Sequence, residues 1–256
     1  MDFKIIYEDK DVLVVDKPAR IVVFPEGQTL KSGEKTLIDY LLEQRPALKK
    51  AGEAPRYGIV HRLDKDTSGA LLVAKSTEAL LFLQKQFKNR EVQKKYVCLV
   101  EGAVEQDSGR IENLIARSKK DFRKQVVIPE SQRGLPTGRQ AITEYKVIGR
   151  YVDGPTSPRL RGATSSESNK YTLLEVEIKT GRRHQIRCHF SYLKHPIAGD
   201  KLYGFKNSKT PDNLERQFLH SIYLKIQLPN GKIQEFKTDL PEDLKKVINN
   251  LQPCQN

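Results

Sequence analysis

Short apolar runs separated by turn residues limit the fold of this chain more than any other feature. The runs are four to eight residues long, rich in β-branched residues, and lie at residues 4–7, 12–15, 21–24, 70–74, 96–100, 143–148 and 171–178. Runs of this length between turn signals predict strands. Several connections between them are too short for a crossover helix, so the nearest strands should pair antiparallel.

Two segments between these runs have apolar residues at helical spacing. The first covers residues 36–44 and ends before Pro46. The second starts after Ser76, a suitable N-cap, and continues to about residue 90. The sequence therefore predicts an α+β fold, in which residues 1–256 form a single domain on a central, mostly antiparallel mixed sheet flanked by helices.

Two stretches lack this regularity. Residues 114–140 carry seven lysines and arginines against two acidic residues, a density that suits phosphate contacts. Residues 151–169 are rich in Gly, Pro, Ser and Thr, which is typical of a flexible surface loop. Because strand runs flank both stretches, we interpret them as a basic insertion and a polar loop within the domain.

The charge balance of the chain points to a polyanionic partner. Lysines and arginines number 45 against 32 acidic residues, which gives a formal net charge of +13. A surplus of this size attracts nucleic acid. A basic surface that binds no nucleic acid is the other interpretation of the charge alone.

The sequence gives no sign of export, of a membrane span or of a metal site. No apolar run approaches the ~18 residues that a spanning helix needs, and the N-terminus lacks the pattern of a signal peptide. The three cysteines, Cys98, Cys188 and Cys254, are odd in number and far apart, which fits a reducing compartment. His184 and Cys188 would share a helix face, but no further ligand stands at a usable spacing. We therefore expect a cytoplasmic protein without a bound metal.

Residues 58–69 place one carboxylate, Asp64, among cations. Asp66 and Gly69 have the residue types that begin and end a type I turn, so Asp66 is predicted to cap that turn with its side chain. Asp64 has no such local role. Arg62 and Lys65 should keep it ionised, because a nearby cation lowers an Asp pKa by about 1 to 3 units. On the residues alone, Asp64 is either a reactive carboxylate or a loop aspartate in a surface ion pair.

The sequence of this segment resembles a known motif. His61-Arg62-Leu63-Asp64 followed by Thr67-Ser68-Gly69 is similar to the active-site motif of the RluA family of RNA pseudouridine synthases. The resemblance continues in order along the chain, from Lys17-Pro18 to Leu219-His220. It implies a pseudouridine-synthase-like domain with an active-site cleft in its middle and with Asp64 as the essential residue. Because the family-like sequence begins with the first strands, we expect a catalytic domain without the small N-terminal RNA-binding domain of some members.

A second string, residues 180–190, leads from a strand through Gly181 into a helix. The residues predict an anion-attracting helix N-terminus, with Arg183 and Arg187 four apart on one flank, where either could meet a phosphate or a carboxylate. A solvated basic face is the alternative. The string resembles the family motif TGR-x-HQIR, and the resemblance implies that Arg187 pairs with Asp64. Arg183 is then predicted to contact RNA.

The resemblance implies four further residues that contact the base or the RNA. Lys94-Lys95-Tyr96 matches a Lys-x-Tyr pattern whose tyrosine stacks on the target base and is implicated in removing the proton from C5. Lys95 beside it is predicted to bind RNA. Leu219 matches an apolar residue that packs beneath the base, and Arg62 matches a residue that enters the space of a flipped-out nucleotide. On chemistry alone, Tyr96 and Leu219 are packing residues.

Some residues of the motifs have structural interpretations or depart from the family pattern. His61 is predicted to hydrogen-bond the loop rather than to titrate. Gly199-Asp200 is predicted to form a turn against which Tyr203 packs. Near the start, Arg20 stands where the family has Gly, and Phe24-Pro25 where it often has His-Pro.

The implied reaction isomerises uridine in structured RNA, either rRNA or tRNA, to pseudouridine. It needs neither a redox cofactor nor an energy source, and the target base must be flipped out of its helix. Asp64 would act as a nucleophile at C1′ or as a base at C2′. A glycoside hydrolase would need a second, protonated carboxyl, which the sequence does not supply convincingly. A non-catalytic RNA-binding module would explain the charge but not the motif residues, so we favour an enzyme. We also expect it to be a monomer with no obligatory protein partner.

Overall fold

A computed structural model of the protein describes residues 3–25, 33–128, 138–153 and 169–254. Two compact units divide these residues. The first contains the described residues up to Lys94 together with His220–Asp239, and the second contains those from Lys95 to Leu219 and from Leu240 onward. 

Eleven strands and four α-helices are present in the described residues. In chain order they are β1 (Lys4–Glu8), β2 (Val12–Lys17), α1 (Leu37–Gln44), β3 (Ser68–Ala74), α2 (Thr77–Asn89), β4 (Gln93–Glu101), β5 (Ser108–Arg117), β6 (Gln125–Ile128), β7 (Arg139–Asp153), β8 (Lys170–Ile178), α3 (Gln185–Tyr192), β9 (Leu219–Gln227), β10 (Ile233–Lys237), α4 (Glu242–Asn250) and β11 (Leu251–Pro253), with a 3₁₀ helix at Pro46–Lys50. 

The first unit contains a mixed sheet. β1, β2 and β3 pair antiparallel, β3 pairs parallel with β9, and β9 pairs antiparallel with β10. β2 and β3 are almost completely buried along their length, which explains their continuous apolar sequences. Helix α2 packs its apolar stripe, including Leu80 and Leu83, against these strands. The side chain of Ser76 caps this helix by accepting a hydrogen bond from the Ala79 N–H.

The second unit contains an antiparallel sheet in the order β4, β8, β7, β5, β6, with β11 paired to β7. Helix α3 packs against β6 and β7. A small core of Ile115, Ala141, Cys188 and Tyr203 joins the helix to the sheet. The unit therefore fixes α3 on the face of a sheet whose strands all run antiparallel to their neighbours.

The predicted α+β class and the mostly antiparallel, mixed pairing are confirmed. The strand predicted at residues 21–24 is wrong. Three of these four residues are buried, but the carbonyls of Val22 and Val23 accept hydrogen bonds from the first N–H groups of α1, so they bond a helix end rather than a strand. Just before them, Arg20 has a φ of 68°, a left-handed conformation that explains why a glycine suits this position.

Three expectations about organisation have different outcomes. Residues 114–128 of the basic stretch form most of the β5–β6 hairpin, whereas residues 129–137 lie outside the described residues, as do 154–168 of the polar loop. The single domain and the central cleft stay predictions.

In the part of the chain that the structure describes, no helix combines the length and apolar character that crossing a bilayer demands.

Candidate active site

Asp64 lies at the first position of a tight turn in the first unit. The Thr67 N–H donates to the Asp64 carbonyl over 3.1 Å, so Lys65 and Asp66 occupy the centre of the turn. The side chain of Leu63 is buried and that of Asp64 is half-buried. The turn predicted at residues 66–69 is therefore wrong by two positions, because Ser68 and Gly69 already belong to β3.

Gly69 allows close contact between β3 and β9 and is not part of the turn. It pairs with Ser221 in the parallel ladder between β3 and β9, and its φ is 116°. A Cβ atom at this position would lie 2.2 Å from the Ser221 carbonyl oxygen and 2.6 Å from its nitrogen. The end of the Asp64 turn thus depends on the close approach of two backbones.

We predict that Gly69→Ala lowers the free energy of unfolding by about 3 kcal/mol or more. Backbone strain contributes about 1–3 kcal/mol, and overpacking against a backbone that cannot yield adds about 1–3 kcal/mol. Urea unfolding measures the loss. Gly231→Ala is the matched control, because Gly231 also has a positive φ, of 84°, but nothing within 4 Å of the added Cβ. Equal losses in the two variants would refute the role of the Ser221 contact.

Lys17 ties the turn to the end of β2. Its side chain is fully buried, and its Nζ donates to the carbonyls of Pro18 at 2.8 Å and Lys65 at 3.1 Å. Lys65 directly follows Asp64, so a buried cation holds the backbone beside the carboxylate. Burying an ammonium group is costly without such partners, which makes this contact a strong constraint on the turn.

His61 supports the other side of the turn as a neutral hydrogen-bond acceptor. Its Nε2 accepts from the Leu72 N–H over 3.0 Å, and its ring stacks on Phe87 with centroids 5.0 Å apart. Desolvation and the nearby Lys94 ammonium lower the pKa of His61 to about 3. His61 thus has a hydrogen-bonding role, as predicted, but the predicted partner is wrong, because the bond joins it to β3 and not to the loop.

We predict that His61 stays neutral down to pH 5 in the folded protein. The unfolded chain takes up this proton near pH 6.5, so the free energy of unfolding is unaffected above pH 6.5 and falls as the pH drops toward 3. The loss at pH 5 is about 2 kcal/mol. Urea unfolding at pH 7 and pH 5 should show a smaller loss for His61→Gln than for the native chain. An imidazole resonance of His61 that titrates near pH 6.5 would contradict this prediction.

A buried hydrogen-bond chain fixes the strand that follows the turn. The Thr238 hydroxyl donates to the Ser221 carbonyl over 2.7 Å and lies 3.0 Å from Nε2 of His220, while Nδ1 of His220 lies 2.8 Å from the Ser68 hydroxyl. Since the Thr238 proton is used, Nε2 of His220 donates to Thr238, and in a neutral ring Nδ1 accepts from Ser68. Sequence reasoning missed this chain because its members are 18 and 152 residues apart.

Arg62 packs over an aromatic ring within the first unit. Its guanidinium carbon lies 5.6 Å from the centre of the Phe24 ring, and that of Arg56 lies 4.9 Å from the same ring. Phe24, which stands where the family often has His, provides an aromatic surface on which two arginines pack. The role of Arg62 toward a flipped-out nucleotide stays a prediction.

Arg187 lies on α3 in the second unit and is buried. Its Nε and Nη2 donate to the two oxygens of Asp200 at 2.6 and 2.9 Å, and its Cζ lies 5.1 Å from the centre of the Tyr203 ring. The same carboxylate accepts from the N–H groups of Leu202 and Tyr203, which confirms the predicted turn at Asp200. Sequence reasoning missed Asp200 as the partner of Arg187, because a turn role already explained it.

One detail of the predicted helix is wrong. Arg183 precedes α3, which begins at Gln185, and is exposed, so it does not flank Arg187 on the helix. Its Nε lies 3.4 Å from Nε2 of His184. The predicted ion pair between Arg187 and Asp64 would join residues of different units, and it stays a prediction.

Tyr96 and Lys95 lie on β4. Tyr96 is buried opposite Val176 of β8, whereas the Lys95 ammonium is half-buried and binds Glu175 at 2.9 Å. Sequence reasoning gave no role to Lys94, which is only 8% exposed and has its Nζ 5.3 Å from the centre of the Phe87 ring. Burial lowers the pKa of Lys94 to about 8. The period of two along a strand could have marked Lys94, because it shares a strand face with Tyr96.

Leu219 is the buried first residue of β9. Its carbonyl accepts from Arg216 Nη1 over 3.5 Å, and Arg216 also binds both oxygens of Asp243 at 2.6 and 3.1 Å. Arg216 thus holds the backbone of the residue predicted to lie beneath the base. Sequence reasoning assigned no function to Arg216.

His184 and Cys188 have structural contacts instead of a shared ligand. Nδ1 of His184 lies 3.1 Å from the Tyr203 hydroxyl, and the Cys188 thiol donates to the Gln125 carbonyl over 3.4 Å. Burial raises the pKa of Cys188 to about 12, so the thiol stays protonated. Across the described ranges, no group of three His, Cys, Asp or Glu side chains has the arrangement that could hold a metal ion.

A half-buried carboxylate on a turn held by Lys17, in a strongly basic chain, suits an enzyme that acts on a polyanion. The family model described as RNA pseudouridylate synthase matches residues 11–192. The chain belongs to this family, as its resemblance to RluA-type enzymes predicted. It isomerises uridines in RNA to pseudouridine.

Three comparisons illustrate this relationship. An "Uncharacterized RNA pseudouridine synthase" of Aquifex aeolicus is 40% identical over 95% of this chain and 71% of that protein. The "Ribosomal large subunit pseudouridine synthase D" of Nitrosomonas europaea is 36% identical over 96% of this chain and 64% of that protein. The solved structure of human RNA Pseudouridylate Synthase Domain Containing 1 is similar with a TM-score of 0.75 and 26% identity, covering 99% of this chain and 89% of the human chain.

Proposed function

We propose that this enzyme modifies uridines of large-subunit ribosomal RNA and that Asp64 is its catalytic carboxylate. The observation that carries the assignment is the support of the Asp64 turn. Lys17 holds the carbonyl of the next residue, and Gly69 anchors the strand beyond it, yet the Asp64 side chain itself stays half-exposed. A preorganised carboxylate that still reaches solvent suits attack on a bound nucleotide.

The choice of RNA rests on a relative rather than on geometry. The Nitrosomonas europaea protein is named for the large ribosomal subunit and aligns with 96% of this chain. The net charge of +13 suits any structured RNA. Transfer RNA is the alternative substrate, and the experiment below separates the two.

The reaction exchanges one bond to the ribose for another. The bond between N1 and C1′ breaks, the uracil turns while it stays bound, and C5 then bonds to C1′. C5 loses its proton and N1 gains one, so atoms and electrons balance without a cofactor. Asp64 acts at the ribose, as a nucleophile at C1′ or as a base at C2′. Deuterium at C2′ should give a primary isotope effect only in the second case, because only then does the bond between C2′ and its hydrogen break.

The other predicted residues take the roles that the family implies. Tyr96 stacks on the flipped-out uracil and takes the C5 proton, Leu219 packs beneath the base, and Arg187 stabilises the ionised form of Asp64. Two contacts support Arg187 in this role, because Asp200 and Tyr203 fix its guanidinium in one orientation.

The remaining predicted residues contact the RNA backbone or the space that the flipped-out nucleotide leaves between its neighbouring bases. Arg62 enters the space of the flipped nucleotide, and Arg183 is exposed and can bind a phosphate. Lys95 must exchange its bond to Glu175 for one to the RNA. We further propose that the enzyme works as a monomer without an obligatory protein partner.

The test uses transcripts whose uridines carry tritium at C5, because isomerisation releases this label to water. Large-subunit rRNA should release tritium with catalytic amounts of enzyme, and tRNA should not. Sequencing pseudouridines in rRNA from a strain that lacks the gene should show one or more missing sites. Release from tRNA alone would replace the rRNA proposal, and release from neither RNA would reject both.

A further inference from the structure

The tip of the β5–β6 hairpin, residues 117–124, presents an exposed aromatic ring. Phe122 is 69% exposed, whereas most phenylalanines pack into cores. A single exposed apolar residue is common and needs no explanation by itself. The construction and charge of this tip give the exposure a meaning.

Internal hydrogen bonds hold the tip in one conformation. The Ser118 hydroxyl accepts from the N–H groups of Lys120 and Asp121 at 3.2 and 3.1 Å. The Lys124 N–H donates to the Asp121 carbonyl over 2.9 Å, and Arg117 Nε donates to the Phe122 carbonyl over 2.8 Å. The backbone therefore holds the ring outward, and its exposure does not come from fraying.

The charge around the ring is strongly positive. Residues 117–124 contain five basic side chains and one acidic side chain, which are Arg117, Lys119, Lys120, Arg123, Lys124 and Asp121. Asp121 binds Arg123 through both oxygens, at 2.9 and 2.8 Å. Arg117 Cζ lies 5.7 Å from the ring centre, so one face of Phe122 meets a guanidinium while most of the residue stays open. An aromatic ring surrounded by cations is complementary to an unpaired base flanked by phosphates.

The first residue of β6, Gln125, directly follows the tip and is bonded to the helix that carries Arg187 and to Tyr203. The Gln125 N–H donates to the Tyr203 hydroxyl over 2.6 Å, and the Cys188 thiol donates to the Gln125 carbonyl. Tyr203 in turn contacts the Arg187 guanidinium. Phe122, three residues before Gln125, is therefore held in a defined relation to α3.

We infer that Phe122 is a stacking site for an unpaired base of the RNA substrate outside the target uridine, with Lys119 and Lys120 binding the adjacent phosphates. This inference rests on the proposed function for the identity of the RNA. It adds to that function a preference for substrates in which single-stranded nucleotides accompany the target.

Equilibrium binding to a fluorescein-labelled oligouridylate tests the stacking site. Phe122→Ala should weaken binding about 5- to 150-fold, the range for loss of one stacked base. Phe122→Trp should bind at least as tightly as the native chain. Binding to an RNA duplex of the same length should change less than twofold, since paired bases offer no open face.

Phe205→Ala is the matched control. Phe205 is 43% exposed and has Lys194 Nζ 5.7 Å from its ring centre, but it lies outside the basic hairpin. An unchanged affinity in Phe122→Ala, or an equal loss in Phe205→Ala, would overturn the inference. Exchange of Lys119 and Lys120 for alanine should lower the slope of log affinity against log salt by about 0.7 for each lysine.

A photochemical measurement separates this inference from the proposed function. Oligouridylate containing 5-iodouridine should crosslink to Phe122 on irradiation, and mass spectrometry identifies the residue without any catalysis. In tritium release, Phe122→Ala should raise KM and leave kcat within twofold. A wild-type enzyme that crosslinks at Phe122 but releases no tritium from rRNA would reject only the proposed substrate, and crosslinks elsewhere would reject only the stacking site.

Discussion

Asp64→Asn should abolish conversion of uridine while the protein still folds and binds RNA. Removal of a nucleophile or of a group that transfers a proton lowers kcat by at least about 10³-fold. Asparagine keeps the size of the side chain, and the turn is closed by the backbone of Asp64 rather than by its carboxylate. The rate of tritium release from rRNA and the affinity for the same RNA measure the two effects separately.

Asp66→Asn is the matched control for this prediction. Asp66 lies two residues further along the same turn and is also half-buried. Its replacement removes the same charge from the same loop, so a general electrostatic effect would appear in both variants. We expect Asp66→Asn to keep kcat within about tenfold of the native value, a difference of about 1.4 kcal/mol. Comparable activity of the Asp64 and Asp66 variants would exclude Asp64 as the catalytic group.

The candidate site could be predicted from the sequence because its residues lie in short contiguous motifs. Asp64 stands out within a short motif, and the helix bearing Arg187 follows a glycine in another. Several strand and helix positions were also predictable, since β2 is a short continuous apolar run and α2 has an apolar stripe at helical spacing. The apolar run at residues 21–24 misled the prediction because burial alone does not distinguish a strand from a packed loop.

Contacts between residues that are far apart in the sequence could not be predicted from these motifs. Gly69 suited a turn by residue type, but its partner is Ser221, on a strand that comes much later in the chain. Asp200 had a sufficient local explanation, and its bond to Arg187 appears only in the folded unit. Each error arose because a residue satisfied a local rule while a tertiary contact determined its function.

The second large effect is expected at the Arg187–Asp200 pair. Asp200→Asn should lower the free energy of unfolding by about 3–5 kcal/mol, because the buried Arg187 guanidinium loses the charged carboxylate that binds it through two hydrogen bonds. The asparagine carbonyl can still accept from the Leu202 and Tyr203 N–H groups, so the turn itself keeps its bonds. Urea unfolding measures this loss.

Asp243→Asn provides the comparison. Arg216 is buried like Arg187, but the carboxylate that binds it is 53% exposed, whereas that of Asp200 is fully buried. Water can replace part of the lost interaction at Asp243, so its replacement should cost about 1 kcal/mol. Similar losses in the two variants would show that burial does not determine the strength of these pairs.

A double variant separates the loss of the pair from the cost of an isolated charge. Arg187→Met combined with Asp200→Asn removes both charges, and it should be more stable than Asp200→Asn alone because no buried guanidinium remains beside a neutral amide. The two single effects should therefore not add. The double variant should nevertheless release little tritium from rRNA, since it lacks the arginine proposed to keep Asp64 ionised. Recovery of stability without recovery of activity is the result that assigns Arg187 to catalysis, whereas recovery of both would confine the pair to folding.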